Sequence, residues 1–455
     1  MAILTRRGVI GIAAAGTTAA SAVTARAQIP SRSVETEALR LRAEAIHPRG
    51  PEAAADQDWQ ARWRALTADA DALSDGEYFL RTRQALGWFK DGHTTLLPFE
   101  FTGGVPAQLA QGSLALNLPI GVQAFHDGAY VTRAAGEGEA LLGARITRVG
   151  SADIAALMRA WATDFPGNDA WARRWAGTMF RPAFLQALGA VNDPGAPVRI
   201  EGRLERRHVH AVLTPRIDGE SALRPLARTK TQVELWSEEA GESSGGNYVR
   251  RAGDAIFISC DDLGADAQAF RAFTHACFEA MDDPSPRRLV VDLRRNGGGD
   301  NYLFEPLRKH IERSRFNRPG ALYVMVSPQT FSAAQNAANR LERETFAIFV
   351  GEPTGGAPNH FGDGQVGEGA VTGIVSLISS LPWFDSYPQD RRIWIMPDLP
   401  SPQSFADWRN GDDPALHAAL NHTSDAPADD WSEARVFYFR RPSQAADWRP
   451  FWRQS

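Results

Sequence analysis

Residues 324–342, VMVSPQTFSAAQNAANRLE, decide the fold prediction, because they contain the end of a strand, a tight turn and the start of a helix. The apolar run 322–326 predicts a short buried strand, which Ser327-Pro328 ends. Alanine and leucine then recur at helical spacing after Ser332. Ser332 is therefore predicted at a helix N-terminus, where free amides and the positive end of the helix dipole can stabilise an oxyanion.

The same serine also has a purely structural interpretation. Ser332 and Gln335 fit the S-x-x-Q pattern of a capping box, in which the serine hydroxyl accepts a hydrogen bond from the helix backbone. Taken alone, the stretch favours a cap over a nucleophile. Residues elsewhere in the chain therefore have to decide between the two interpretations.

Apolar strands and helices alternate around this stretch, which predicts an α/β domain at 251–430. Further strands are predicted at 255–260, 289–293 and 346–350, and a helix at 268–281. The strand segments are apolar throughout rather than alternating. We therefore expect a largely buried sheet.

The residues before this domain divide into two regions with different patterns of apolar residues. Helical periodicity at 35–46, 58–73 and 77–86 predicts a helical N-terminal domain at 28–100. Short apolar runs broken by glycine and aspartate then predict a β-rich domain at 101–216.

Two further regions complete the predicted domain organisation. The polar stretch 217–250 contains a Gly-Gly pair and is interpreted as a linker. The tail 431–455 is irregular and aromatic. We expect its three tryptophans to pack back on the body of the protein: Trp431, Trp448 and Trp452.

Composition limits the function classes that have to be considered. The chain has 455 residues, of which 43% are hydrophobic, so it can bury a substantial core. A net charge of −5 gives no basic excess for binding nucleic acid, so no nucleic-acid partner is expected. No stretch beyond the N-terminus is apolar and long enough to span a bilayer, and the mature chain is predicted to have no membrane span.

The first residues are typical of an export signal. Paired arginines at Arg6-Arg7 precede a short apolar run, and Ala25-Arg26-Ala27 follows as a small-residue cleavage site. Residues 1–27 therefore resemble a twin-arginine signal peptide, which predicts a periplasmic or secreted protein. The two cysteines, Cys260 and Cys277, lie in strand-like and helix-like runs, and we expect two buried thiols rather than a disulfide.

Three short motifs contain the residue types that catalysis requires. Asp91-Gly92-His93-Thr94 places a histidine on a predicted loop, where a neutral imidazole suits a general base, although a lone loop histidine is more often solvated or structural. The run 292–299, DLRRNGGG, allows backbone amides to approach an oxyanion or a phosphate, or forms a plain flexible turn. It matches no phosphate-binding signature, which disfavours the phosphate.

The chain contains, in this order, the motifs DGHT, DLRRNGGG, FSAAQ and, at 351–356, GEPTGG. Taken together, they resemble the S41 peptidases, the family of C-terminal processing and tricorn-type serine proteases. The resemblance covers most of the chain after the signal. It implies a ClpP/crotonase-like α/β catalytic domain, a PDZ-like domain within 101–216, and no metal or organic cofactor.

The resemblance also implies roles for individual residues. Ser332 is the expected nucleophile, and Gly297 or Gly298, together with the amide of Ala333, is expected to form the oxyanion hole. The C-terminal processing branch has a lysine base where this chain has Ala357, so that alignment excludes a Ser-Lys dyad.

The chain instead resembles the tricorn-type branch, in which an earlier histidine is the base, and His93 is the matching residue. His360 is the competing base, because it lies closer in sequence. The first candidate for the acidic member of the triad is Asp390, and Asp385 and Glu352 are the next candidates.

These expectations describe an exported serine peptidase that hydrolyses peptide bonds through an acyl-enzyme and acts on peptides or unfolded proteins. One alternative is an inactive scaffold of the same fold that binds peptides. Another is an esterase-like serine hydrolase, although the G-x-S-x-G pattern of many esterases is absent around Ser332.

Overall fold

The computed structural model describes residues 31–217, 223–241, 245–264, 266–423 and 448–453. The predicted signal at 1–27 and Trp431 lie outside these residues. Within them, every helix is too short or too polar to cross a membrane.

The described residues form α-helices with the following bounds: α1 Arg32–Ile46, α2 Gly50–Ala55, α3 Gln57–Asp69, α4 Asp75–Leu86, α5 Phe99–Thr102, α6 Ile154–Ala162, α7 Asp169–Arg174, α8 Pro182–Ala187, α9 Gln232–Ala240, α10 Ala267–Asp282, α11 Glu305–Arg313, α12 Ala333–Glu344, α13 Phe405–Asn410 and α14 Pro414–Asn421.

The strands have these bounds: β1 Thr95–Leu96, β2 Ile120–Phe125, β3 Gly128–Ala134, β4 Arg145–Val149, β5 Ala152–Asp153, β6 Val198–Leu204, β7 Arg207–Leu213, β8 Arg224–Pro225, β9 Tyr248–Ala252, β10 Ala255–Ser259, β11 Arg288–Asp292, β12 Leu322–Val326, β13 Ile348–Gly351, β14 Asn359–Gly362, β15 Gln365–Glu368, β16 Val375–Ile378, β17 Leu381–Phe384 and β18 Leu399–Pro400.

A six-stranded sheet forms the centre of the C-terminal domain, in the order β18-β13-β12-β11-β10-β9. Its neighbouring strands are parallel except β9, which pairs antiparallel with β10. The predicted α/β fold class is confirmed, and β12 occupies the range that the sequence predicts.

Both faces of this sheet are covered, which explains why its strands are apolar throughout. Ile258, Val291 and Val324 lie in one core with apolar residues of α10, α11 and α12. Val290 and Tyr323 point to the other face, where residues of α9 and α14 complete a second core. The helix α12, which begins after Ser332, is thus held by packing along its length.

The N-terminal helices and the β-rich region share one hydrophobic core. Seven antiparallel strands, β2 to β8, form a sheet whose inner residues include Val131 and Ile146. Trp59 and Trp63 of α3 are fully buried in the same core. Trp452, from the end of the chain, is fully buried there too.

Two other stretches can be compared with the sequence interpretation. The range 217–250, interpreted as a linker, contains β8, which pairs with β3, and α9, which covers the central sheet. Trp448 of the tail packs edge-on against Trp394, with ring centroids 5.3 Å apart. Both cysteines are free and buried.

Candidate active site

Ser332 lies at the corner between β12 and α12, at the carboxyl edge of the parallel sheet, where α/β folds place their ligand sites. Its backbone has φ 55° and ψ −127°, a strained conformation for a residue with a side chain. Its hydroxyl makes no capping hydrogen bond to α12. The capping box expected from Ser332 and Gln335 is therefore wrong, because a cap needs an extended residue at this position, as Ser74 of α4 shows with φ −61° and ψ 160°.

Hydrogen bonds between two neighbouring loops hold this strained corner. The Thr330 hydroxyl donates to the carbonyl of Leu293 at 2.9 Å, and the amide of Phe331 donates to the carbonyl of Asn296 at 3.3 Å. These bonds join the turn before Ser332 to the loop after β11. Because these bonds fix both loops, the strained backbone conformation of Ser332 is maintained.

Gly298 packs directly against the serine. A Cβ atom at Gly298 would lie 2.5 Å from the Cβ of Ser332 and 3.1 Å from the amide nitrogen of Ala333, and its φ is 113°. The N–H of Gly298 donates to the Asn296 side chain at 2.9 Å, so it is already engaged. Among the described residues, the amides of Gly297 and Ala333 have no hydrogen-bond acceptor, which leaves these two for an oxyanion.

The GEPTGG motif packs against the turn that precedes Ser332. The amides of Gly355 and Gly356 both donate to the carbonyl of Thr330, at 3.1 and 3.3 Å. A Cβ at Gly355 would lie 2.2 Å from the carbonyl oxygen of Pro328, so only glycine allows the two backbones to come this close. The motif therefore acts on the site through packing.

His93, from the N-terminal region, lies next to Phe331, the residue that precedes Ser332. Its ring stacks on Phe331 with centroids 4.3 Å apart. His93, Ser332 and Gly297 line one cavity of about 330 Å³ whose walls are mainly aromatic, and we call it the aromatic cavity. The structure thus brings together the predicted nucleophile, the predicted base and the predicted oxyanion donors.

A small strand fixes the histidine loop. β1 begins two residues after His93 and pairs antiparallel with β16, with Thr95 opposite Leu377. One residue beyond β16, the Ser379 amide donates to the Thr94 hydroxyl at 3.2 Å. A chain segment that follows the serine helix therefore positions a loop that precedes it by more than two hundred residues.

Asp91 is the carboxylate that lies beside His93. Its Oδ1 is 3.7 Å from Nδ1 of His93, and its Oδ2 accepts hydrogen bonds from the hydroxyls of Thr94 at 2.7 Å and Ser379 at 2.5 Å. Burial acts to raise the pKa of Asp91, but the neighbouring imidazoles of His47 and His93 and the Ser379 hydroxyl outweigh it and hold the pKa far below its ordinary value. Asp91 is therefore an ionised, buried carboxylate.

His47 completes the surroundings of Asp91. Its Nε2 lies 3.6 Å from Oδ2 of Asp91, and its Nδ1 accepts a hydrogen bond from the amide of Arg49 at 3.0 Å. Because Nδ1 is an acceptor, Nε2 carries the proton and faces the carboxylate. The ring stacks on Phe89 at 3.9 Å, which fixes its orientation.

Each of the three acidic residues predicted for the triad forms an ion pair with an arginine. Asp390 accepts from Arg392 at 2.7 Å, and Glu352 from Arg173 at 2.7 Å. Asp385 pairs with Arg340 at 3.4 Å. No contact between described residues joins Asp390, Asp385 or Glu352 to His93. The carboxylate that lies beside His93 is that of Asp91, whereas Asp390 forms an ion pair with Arg392, two residues further along the chain.

His360, the competing base, stacks on His93 with centroids 5.6 Å apart. Its Nδ1 donates to the carbonyl of Ala357 at 3.0 Å. Burial, helped by repulsion from His93, lowers the pKa of His360 from 6.5 to about 4, so this imidazole is a poor proton acceptor near neutral pH. It does not line the aromatic cavity, whereas His93 does.

Sequence reasoning missed Asp91, Ser379 and His47 as parts of the site. Asp91 stands in the DGHT motif itself, two residues before the histidine, and was treated only as part of a turn. A clue was available, since a loop aspartate often accepts hydrogen bonds from the backbone amide and the hydroxyl group two or three residues after it, as Asp91 does from His93 and Thr94. Ser379 and His47 carry no local signal, because only the tertiary structure brings them to Asp91.

The close packing at Gly298 gives a stability prediction. We expect Gly298→Ala to lower the free energy of unfolding by roughly 2–4 kcal/mol, because the added methyl group collides with Ser332 and the backbone is strained. Gly297→Ala is the matched control, because no atom lies within 4 Å of its Cβ position, and we expect a change below about 1 kcal/mol. Urea denaturation measures both, and equal effects would contradict the packing.

The lowered pKa of His360 predicts a pH-dependent contribution to stability. Above about pH 6.5 the imidazole is neutral in both states. Below it the unfolded chain binds a proton that the folded chain does not, so stability is lost as the pH falls from about 6.5 to 4. We expect His360→Gln to gain roughly 2–3 kcal/mol relative to the parent protein between pH 7 and pH 4.5, measured by urea denaturation. A difference that does not change with pH would contradict this.

Comparisons with known proteins support the fold at low sequence identity. No protein-family model matches the chain, and no curated protein sequence matches it significantly. The structure of mature CPAF complexed with lactacystin aligns with a TM-score of 0.54 and 11% identity, over 83% of this chain and 95% of that one. A second structure of mature CPAF gives a TM-score of 0.54 and 12% identity, over 84% and 94%.

The tricorn protease also aligns with 86% of this chain and 36% of its own, at 12% identity. Its TM-score of 0.40 is too low to support an argument. The alignment with mature CPAF extends over nearly the whole of that protein and most of this one. The chain therefore has the fold of mature CPAF, and the resemblance to S41 peptidases that its motifs predict is confirmed at the level of the fold.

Proposed function

We propose that the protein is a serine peptidase that hydrolyses peptide bonds through an acyl-enzyme, with Ser332 as nucleophile, His93 as base and Asp91 as the acidic residue. One observation carries the proposal. Ser332 is held in a strained conformation at a helix N-terminus, does not cap that helix, and lines one cavity with His93 and Gly297. Such an arrangement matches the requirements of acyl transfer.

The reaction follows from these positions. Nδ1 of His93 faces Asp91, which leaves Nε2 to accept the proton as the Ser332 oxygen attacks the substrate carbonyl. The amides of Gly297 and Ala333 then stabilise the oxyanion of the tetrahedral intermediate. His93 returns the proton to the leaving amine, and a water molecule activated by the same histidine releases the acyl group.

Asp91 has two effects in this proposal. Its negative charge stabilises the imidazolium that forms at His93, and its contact with Nδ1 selects the tautomer whose Nε2 accepts a proton. His47 and Ser379 help to keep the carboxylate ionised, and the hydroxyls of Thr94 and Ser379 fix its position. This replaces Asp390 as the acid, while Ser332 and His93 keep the roles that the sequence predicts.

A second cleft supports a peptide as substrate. β2 lies at the edge of its sheet and, with residues of the serine turn, lines a cleft of about 660 Å³. This cleft and the aromatic cavity share Phe101, Arg174 and Gln329 in their walls. We propose that an extended peptide adds to β2 as a strand and reaches Ser332 from there, which is the role expected of a PDZ-like region.

The proposal also includes the cellular location of the protein. Residues 1–27 resemble a twin-arginine signal, and we propose that the protein works in the periplasm or outside the cell on peptides or unfolded proteins. The proposed chemistry requires neither a metal ion nor an organic cofactor.

Paired carboxylate variants test the triad. We expect Asp91→Asn to lower kcat on an unfolded protein substrate by roughly 10²–10⁴-fold, because the tautomer and the charge beside His93 are lost. Asp390→Asn, which weakens the ion pair with Arg392 and leaves the surroundings of His93 unchanged, is the matched control and is expected to change kcat by less than about threefold. Thermal unfolding of both variants shows that each is folded at the assay temperature.

Other outcomes would select a different function. If Asp390→Asn loses activity and Asp91→Asn keeps it, the acid assignment is overturned. Cleavage of simple esters without cleavage of peptides by the parent protein would indicate an esterase. A parent protein that binds peptide and cleaves neither substrate would indicate the inactive scaffold.

A further inference from the structure

The aromatic cavity contains a buried cation that the proposed chemistry does not use. Arg83, on α4, lines the cavity together with Ser332 and is only 4% exposed. Around it the walls are aromatic, with these rings among them: Phe79, Phe99, Trp161, Phe165, Phe184 and Phe331. A volume of about 330 Å³ is enough for one large side chain and its polar end group.

The guanidinium of Arg83 has no acidic partner among the described residues. It lies over the rings of Trp161 and Phe165, at 3.9 and 4.5 Å from their centroids, and one N–H donates to the Trp161 carbonyl at 3.2 Å. Its Nε is buried, and none of the residues that the structure describes accepts a hydrogen bond from it. Burial lowers the pKa of Arg83 to about 9, so the group still carries its charge at neutral pH.

Other charged residues of the cavity are differently placed. Arg174 is exposed, donates to Gln329 at 3.2 Å and interacts with the carboxylate of Glu100. Arg83 is thus the buried arginine of the cavity, while Arg174 is exposed and lies within the electrostatic reach of Glu100. An anion that enters the cavity meets, at Arg83, a buried positive charge that has no acidic partner among the described residues.

An unpaired buried charge is costly unless a ligand completes its hydrogen bonds. A carboxylate fits best, because its two oxygens match the planar fork of a guanidinium and form charge-assisted hydrogen bonds. The aromatic walls would surround an apolar stem. The cavity therefore has the features of a site for a group that is apolar along its length and anionic at its end.

We propose that the aromatic cavity is the specificity subsite of the proposed peptidase and takes a substrate group with an apolar stem and a terminal carboxylate, which pairs with Arg83. The proposal rests on the function proposed above for Ser332. The carboxylate has two possible sources, a glutamate side chain within the peptide or the free C-terminus of the peptide.

Binding of small probes tests the subsite without catalysis. In a Ser332→Ala protein, calorimetry compares 3-phenylpropionate with 3-phenylpropanamide, which differ only in the carboxylate. We expect the acid to bind at least tenfold more tightly, because a charge-assisted hydrogen-bonded pair replaces a neutral contact. Equal binding of the two probes overturns the proposal.

Arginine variants in the same Ser332→Ala background locate the effect. Arg83→Met is expected to make the two probes bind equally, whereas Arg83→Lys keeps part of the preference. Arg181→Met is the matched control, because Arg181 also lies on a wall ring, 5.2 Å from the centroid of Phe99, but does not line the cavity. An unchanged preference in Arg83→Met overturns the proposal. If Arg83→Met does not fold, the comparison of Arg83→Lys with Arg181→Met decides in its place.

Peptide substrates then identify the source of the carboxylate. With C-terminally amidated peptides, a Glu-over-Gln preference of at least tenfold in kcat/KM that Arg83→Met abolishes indicates a side chain. A preference for free over amidated C-termini that the same variant abolishes indicates the terminal carboxylate. If the enzyme cleaves peptides and shows neither preference, the subsite is overturned and the proposed function stands. Acid-selective probe binding in a protein that cleaves no peptide supports the site and contradicts the function.

Discussion

The strained backbone of Ser332 is the constraint on which the site depends. A residue with a side chain adopts φ 55° together with ψ −127° only where its surroundings hold it there, and here two sets of contacts supply that restriction. The loop after β11 is bonded to the serine turn through Thr330 and Phe331. Gly298 closes against the serine so tightly that no methyl group fits between them.

This constraint has a chemical consequence. In an extended conformation the hydroxyl of Ser332 would be positioned to cap α12, as Ser74 caps α4. At positive φ it does not cap, and no described residue accepts a hydrogen bond from the first amide of the helix. The strain thus converts a helix start into a site with a free hydroxyl next to a free N–H, which is the geometry that acyl transfer requires.

The second requirement is that a distant loop supplies the base. His93 lies far from Ser332 in sequence, and the pairing of β1 with β16 fixes its loop to the segment that follows α12. Ser379, next to β16, bonds to Asp91 and Thr94, so the strand pairing and the carboxylate network support each other. The histidine is therefore placed by residues on both sides of the serine in the chain.

Local patterns predicted the elements better than the contacts between them. The apolar run of β12 and the spacing of α12 follow directly from the sequence, since burial on both faces of a parallel sheet requires them. The acid could not be predicted in the same way. Asp390 and Asp91 are both loop aspartates, and only the folded chain shows that Arg392 occupies the first while His93 lies beside the second. The S-x-x-Q pattern was misleading for a similar reason, because tertiary contacts rather than local preference set the φ of Ser332.

The most direct test of this account is the rate at which a fluorophosphonate probe modifies the protein, with the modified residue identified by mass spectrometry. The account predicts a single adduct on Ser332, formed at a rate that falls at least a hundredfold in His93→Ala and changes little in His360→Ala. An adduct on another residue, or a rate that depends on His360 and not on His93, would contradict it.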